Sequence, residues 1–255
     1  MAMNILITYA VEAEFAPWRA LNMEKVTIGN VTLQRAHIGQ ATVDFVITGM
    51  GAANAERIAD AVISKTYSFC IVSGFAGALK SSVKVGDIVA PERVQHHAGH
   101  QTEICNHDLL IHASKNGATR IATLLTTDHV VNTATEKNRL SAFAEAVDME
   151  SFAILHAATK KKVSAAVVRV VSDSFDRDMP AELDTIMDPQ GHVKIVGVVR
   201  YLAKHPLMVP ALVRLGRDSK SAAEALAQFL ESYIDKLSSA THGGPPPALQ
   251  EVAAS

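Results

Sequence analysis

Two patterns of apolar and polar positions alternate along the chain. Short, nearly continuous apolar runs recur at "NILITYA" (4–10), "DFVITG" (44–49), "FCIVSG" (69–74), "TRIATLLTT" (119–127) and "KVSAAVVRVVSD" (162–173), while "VKVGDIVAP" (83–91) reads as a turn plus a strand. Runs of that length, closed by glycine or polar residues, predict buried strands. Between them, "NAERIADAVISKTY" (54–67) places Ile58, Ala61, Val62 and Lys65 at helical spacing. "TEKNRLSAFAEA" (135–146) and "MESFAILHAATKKK" (149–162) also read as helices, the second with lysines at its C-terminal end, where the dipole favours them. Apolar strands alternating with helices predict an α/β protein whose sheet is covered by helices on both faces.

Ligands of such sheets gather beyond the strand ends. That directs attention to Glu14, positions 49–51 and 73–77, Glu150, and positions 172–173. The last stretch, "SSATHGGPPPALQEVAAS" (238–255), is rich in small residues, proline and glycine, and is expected to be disordered. A single domain over residues 1–237 is therefore expected.

Composition narrows the class of partner. Hydrophobic residues make up 48% and charged residues 20% of the 255, with a net charge of -2. There is no basic stripe, which argues against nucleic acid or an anionic membrane as main partner. Cys70 and Cys105 belong to no CxxC pair, and free thiols suit the cytoplasm, where the protein is expected to act. Glu12 and Glu14 interrupt the first apolar run where a signal peptide would continue. No apolar run reaches the roughly 18 residues of a membrane helix. "LMVPALVRLG" (207–216) is the most apolar late segment, broken by Pro210 and Arg214; core packing is expected, with contact to an apolar ligand or a membrane surface as the other reading.

The chemistry begins at "VSGFAGAL" followed by "VKVGDIVAP". Gly74 and Gly77 lack a Cβ, so this strand end can bring backbone N–H groups close to a ligand. "SGFAGALKSSVKVGDIVAP", "VDMESFA" (147–153) and "VVRVVSD", in this order, resemble the nucleoside phosphorylase superfamily, and within it the 5'-methylthioadenosine/S-adenosylhomocysteine nucleosidases. "AVEAEF" and "ITGMGAANA" (47–55) fit the same pattern, so the resemblance runs from about residue 4 to residue 175. It implies a mixed, partly barrel-like sheet, a homodimer, no cofactor, and cleavage of a ribosyl–purine bond in a small nucleoside.

Such cleavage needs a protonated leaving base, a stabilised oxocarbenium-like sugar and a nucleophile on the opposite face. Asp173 closes an apolar strand, a setting that raises a carboxyl pKa towards that of a neutral-pH acid; the alternative is a turn or cap aspartate. The resemblance implies that Asp173 donates towards the purine N7, with Ser172 orienting it. It likewise implies Glu14, rather than Glu12, as the base for water, the alternative being two solvated acids that open a helix. Arg169 lies inside an apolar strand, where an unpaired guanidinium is costly, so a carboxylate or bound water should pair with it; the resemblance implies that it supports the water and sugar side of the substrate site, a structural ion pair being the alternative.

By the same resemblance Glu150 accepts hydrogen bonds from the ribose hydroxyls and Met149 packs its thioether under the sugar. Asp148 stands where the family more often has Glu and is expected only to cap a helix. Val130 and Val131 match the base-binding segment, with small aliphatics in place of an aromatic, and Phe75 replaces the usual serine of the glycine turn. Glu12 and Glu14 stand where the phosphorylases hold phosphate, and a carboxylate repels that dianion, so water is the expected nucleophile.

"HHAGHQTEICNH" (96–107) has four histidines and Cys105, yet fits no zinc spacing; a loop near the active site is expected, and no metal. The segment from Phe175 to Leu230 is similar to the hopanoid-associated branch of the superfamily, which makes adenosylhopane an alternative substrate, by hydrolysis or phosphorolysis. A catalytically silent nucleoside-binding relative is the further alternative, because Phe75 and the valines depart from the pattern.

Overall fold

The computed structural model describes residues 3–99, 101–179 and 209–240. Its strands are β1 (Met3–Tyr9), β2 (Glu24–Ile28), β3 (Val31–Ile38), β4 (Ala41–Ile47), β5 (Phe69–Ala78), β6 (Ile88–His96), β7 (Thr102–Ile104), β8 (Thr119–Thr126), β9 (Ala146–Asp148) and β10 (Ala165–Asp173). The helices are α1 (Glu12–Phe15), α2 (Ala52–Val62), α3 (His107–Lys115), α4 (Ala134–Leu140), α5 (Ser151–Lys161) and α6 (Val209–Ala240).

All the strands join one sheet, in the order β10-β6-β8-β9-β5-β1-β4-β3-β2 with β7 on β6. Because β10 also pairs with β5, the strands β5, β10, β6, β8 and β9 close into a ring. This is the expected mixed, partly barrel-like sheet, with β5–β1–β4 parallel and β4–β3–β2 antiparallel. The innermost strands carry the longest apolar runs, and Ile5, Leu6, Ile7, Ile71, Val72 and Val168 are wholly buried. Such runs occur because both faces of these strands are covered. Helices α2 and α5 pack together in one layer, and α3 and α6 pack together in another.

Helix α6 buries Leu226, Leu230, Tyr233, Ile234 and Leu237, the three-and-four spacing of a core-facing stripe. Gly39 lets the helix approach: a Cβ there would fall 2.9 Å from Ser238 Oγ. Ser238 is itself buried and helical, so the tail expected from residue 238 does not start there; residues 241–255 lie outside the described ones. Within "LMVPALVRLG", the backbone from Val209 onward is α6, and its side chains to position 215 are outside the described residues. Among the described residues, no helix is long and apolar enough to cross a membrane.

Two local expectations are corrected by long-range pairing. The helix expected over 135–146 ends at Leu140, and the one expected from Met149 starts at Ser151. Between them Ala146–Asp148 forms β9, because Val147 pairs with Gly77 on β5 and with Leu125 on β8. Tertiary pairing overrides the helical spacing of the surrounding residues. The 96–107 segment is also more ordered than a loop, with β6, a turn, β7 and the start of α3.

Candidate active site

One cleft at the ring's edge gathers Glu14, Phe75, Gly77, Val130, Val131, Met149, Glu150, Ser172 and Asp173, which lie far apart in sequence. Arg169, the remaining expected residue, lies behind that lining and is 1% exposed. Three elements do most of the positioning: the end of β1, the β5 segment around positions 74–77, and the end of β10.

Glu14 follows β1 on the short α1, and its side chain turns back into the protein. Its Oε2 accepts from the Ala10 and Val11 N–H groups at 2.7 and 3.1 Å, and its Oε1 from the Phe75 N–H at 2.7 Å. Burial raises the pKa of this carboxyl, against the pull of Arg169 and the three amides. Glu12 goes elsewhere, to an ion pair with the exposed Arg19. Of these two, Glu14 is therefore the one that lines the cleft.

Close approach of β5 depends on Gly74, whose φ is +135°. A Cβ at position 74 would fall 2.5 Å from Glu14 Oε1 and also strike Arg169 Nη1. The Gly74→Ala variant should therefore lose about 1–3 kcal/mol of stability, as overpacking does. A thermal melt compared with that of Gly86→Ala, where the added Cβ would meet nothing, checks this against backbone strain alone.

Arg169 is paired, as its cost of burial demands. Its guanidinium is 2.6 Å from Asp148 Oδ2 and 3.9 Å from Glu150 Oε2. It also donates to the Ser73 carbonyl at 3.0 Å and to Ser151 Oγ at 2.9 Å. Asp148 thus does more than the capping expected of it. It accepts from the Ser151 N–H at 3.1 Å, and it is also the main counter-charge of Arg169.

Glu150, 6% exposed, accepts from the Gly51 N–H at 2.8 Å. Burial, then the neighbouring negative charges of Asp148 and Glu14, push its pKa up to about 7 against the opposing pull of Arg169 and the Gly51 N–H. Met149, Met50 and Val147 make this corner of the cleft apolar. Val131 packs with Leu79, Leu125, Leu140, Ala144 and Val147 in a small cluster behind it.

Asp173 sits just past a bulge in the β10–β5 pairing between Val171 and Asp173. Bulges re-aim side chains, and here the register turns Asp173 towards Gly77, where a Cβ would be 3.0 Å from Oδ2. Ser172 Oγ is 3.4 Å from Asp173 Oδ1. Sequence reasoning missed the strongest partner: the wholly buried Lys137 of α4 donates to Asp173 Oδ2 at 2.6 Å. Burial raises the Asp173 pKa, and Lys137 then Ser172 oppose it.

The histidine in the cleft lining is His129, from the segment after β8. No histidine described in the 96–107 segment is among the cleft's lining residues. His96 stands 3.3 Å from Asp128, while Glu103 of the same segment lies 2.5 Å from His156 of α5. Among the described residues, no group of three His, Cys, Asp or Glu side chains could hold a metal ion.

Glu14, Glu150 and Asp173 all have raised pKa values in the folded chain, so the folded state binds their protons more tightly. The stability they contribute is present below their ordinary pKa values, near 4, and is lost as pH rises through the folded ones. For Glu150 that loss extends to about pH 7. Melting temperature should accordingly fall from pH 5 to 7.5, and Glu150→Gln should flatten the slope. An unchanged slope in the variant would count against a raised Glu150.

Residues 4–196 match the family model of the phosphorylase superfamily. The chain belongs to that superfamily. Solved structures share its fold. The 5'-methylthioadenosine/S-adenosylhomocysteine nucleosidase of Helicobacter pylori, crystallised with butyl-thio-DADMe-Immucillin-A, superposes with a TM-score of 0.72 at 17% identity, covering 92% of this chain and 99% of that one. The S-adenosylhomocysteine nucleosidase of Streptococcus pyogenes reaches a TM-score of 0.72 at 19% identity, over 92% and 98%. A futalosine hydrolase of Helicobacter pylori reaches 0.71 at 16% identity, over 92% and 99%. No curated protein matches the chain. At such identities the superfamily fold is common to all of them, while substrate rests on the residues in the cleft.

Proposed function

We propose that the protein is a nucleoside N-ribosyl hydrolase that releases adenine from an adenosine modified at its 5' position. The observation that carries this reading is the Glu14 carboxylate, which fills three backbone N–H groups at the cleft floor. A phosphate in its place would need those donors, and beside a fixed carboxylate it would be repelled by about 4 kcal/mol per pair of unit charges 4 Å apart at moderate dielectric. The same carboxylate can take a proton from water.

In this mechanism Asp173, whose pKa burial raises, gives a proton to N7 of the purine while the C1'–N9 bond breaks and its electron pair moves into the base. Glu150 accepts hydrogen bonds from the ribose hydroxyls and places negative charge near the electron-poor sugar. Met149 packs beneath the ring. Water, held by Glu14, attacks C1' and loses its proton to that carboxylate. Arg169 keeps Glu14 and Glu150 ionisable from behind the lining, and Val130, Val131 and Phe75 flank the base and sugar.

The reading of the 5' group draws on relatives and not on the cleft itself. Solved relatives named as methylthioadenosine/S-adenosylhomocysteine nucleosidases and as a futalosine hydrolase support a nucleoside substrate, the first name favouring a sulfur-bearing 5' substituent. Of the segment whose resemblance suggests adenosylhopane, about half, residues 180–208, lies outside the described residues. A homodimer accords with the family resemblance, and a cytoplasmic location with the free Cys70 and Cys105. Base release from methylthioadenosine, S-adenosylhomocysteine, futalosine and adenosylhopane is the test. Turnover of the first two leading by at least tenfold is expected; tight binding with no release from any of them would replace the enzyme with a silent binding protein.

A further inference from the structure

Lys137 has no exposed side-chain surface. A buried ammonium survives only with its three N–H groups satisfied, and here each has an acceptor: Asp173 Oδ2 at 2.6 Å, the Ser174 carbonyl at 2.7 Å and the Arg177 carbonyl at 3.1 Å. Two of these belong to the loop after β10, which also supplies Met179 to the cleft. That loop is tied to the N-terminal end of α4 twice more. Asp178 Oδ1 accepts from the Ala134 N–H, and the Met179 N–H donates to the Asn132 carbonyl, both at 2.7 Å.

Other charged groups nearby are engaged elsewhere. Asp176 bonds the Ser174 hydroxyl, and Glu136 bonds His129 and faces Arg139. Among the described residues, Lys137 is thus the cation in contact with Asp173, and Arg177 touches Lys137 through its carbonyl.

The placement has a chemical consequence. An acid that must give up a proton inside an apolar cleft is left as a buried carboxylate, which is costly without a counter-charge. A fixed ammonium at hydrogen-bond distance stabilises the charge where it forms. Resting on the hydrolase reading above, we propose that Lys137 is a positioning residue for Asp173: it orients the carboxyl into the cleft and stabilises the negative charge left there when the proton moves to the purine. Lys137 keeps all three of its protons throughout. The O–H electron pair stays on Asp173, and the purine N7 lone pair takes the proton.

Carboxyl-carbon NMR titration of Asp173, together with pH profiles of kcat/KM, tests this in the full chain. In Lys137→Met the Asp173 midpoint and the alkaline limb should both move up by about one to three pH units. At neutral pH kcat should fall by about tenfold to a hundredfold, with KM changed only a few-fold. Lys137→Arg should bring the limb back towards the wild-type position. A loss of activity with both midpoint and limb unmoved would reduce Lys137 to a tie between α4 and the loop. Should Lys137→Met not fold, the wild-type Lys137 Nζ resonance decides: it should shift as Asp173 titrates, and a flat response overturns the proposal. If the wild type cleaves no nucleoside, the hydrolase reading falls, while the Asp173 midpoint still tests the partnership with Lys137.

Discussion

The Asp173→Asn variant is expected to lose about 10²–10⁴ in kcat for base release, the usual worth of a positioned general acid, and to stay folded with a lowered melting temperature, because the buried Lys137 loses its counter-charge. Asparagine preserves the size of the side chain at the β10 bulge, and its carbonyl can still accept from Lys137, so the structural bonds around position 173 survive. What disappears is the proton for N7. Initial rates for a nucleoside with a poor purine leaving group should show the full loss. A substrate with an activated leaving group, which departs without protonation, should show a much smaller one. Equal losses on both would assign Asp173 to binding instead of proton transfer.

The second large effect concerns stability. Arg169→Met should cost about 3–5 kcal/mol, the range for stripping one partner from a buried ion pair. Asp148, 2.6 Å away, loses its counter-charge, and so do Glu150 and Glu14 nearby. The deficit should shrink at acidic pH, because Glu14 and Glu150 can then take up protons instead of remaining as buried anions. Chemical denaturation at pH 5 and 7.5 reads this directly. Replacing Arg169 and Asp148 together, with Met and Leu, should restore part of the loss, since well-packed apolar pairs often match buried ion pairs.

Much of this arrangement was legible in the residues alone. The central strands announce themselves because both faces are covered and their runs are almost wholly apolar. Arg169 was legible for the converse reason, as a charge inside such a run that had to find a carboxylate. Glu14 and Asp173 stand at strand ends, where ligands collect in α/β sheets.

Other features depend on pairing across the chain. Strand β9 is three residues long and exists because β5 and β8 flank it. Asp148 reads as a helix cap until the position of the Arg169 guanidinium is known. Lys137 is the clearest case: in "TEKNRL" it looks like any surface lysine of a helix, and only the path of the loop after β10 encloses it. No local pattern marks it.

Product analysis tests the central claim most directly. The protein is incubated with methylthioadenosine in ¹⁸O-labelled water, with and without inorganic phosphate, and the sugar product is identified by mass. Glu14 in the amide cradle predicts free 5-methylthioribose carrying one ¹⁸O at C1', at a rate independent of phosphate. A phosphate-dependent rate with the sugar 1-phosphate as product would contradict it.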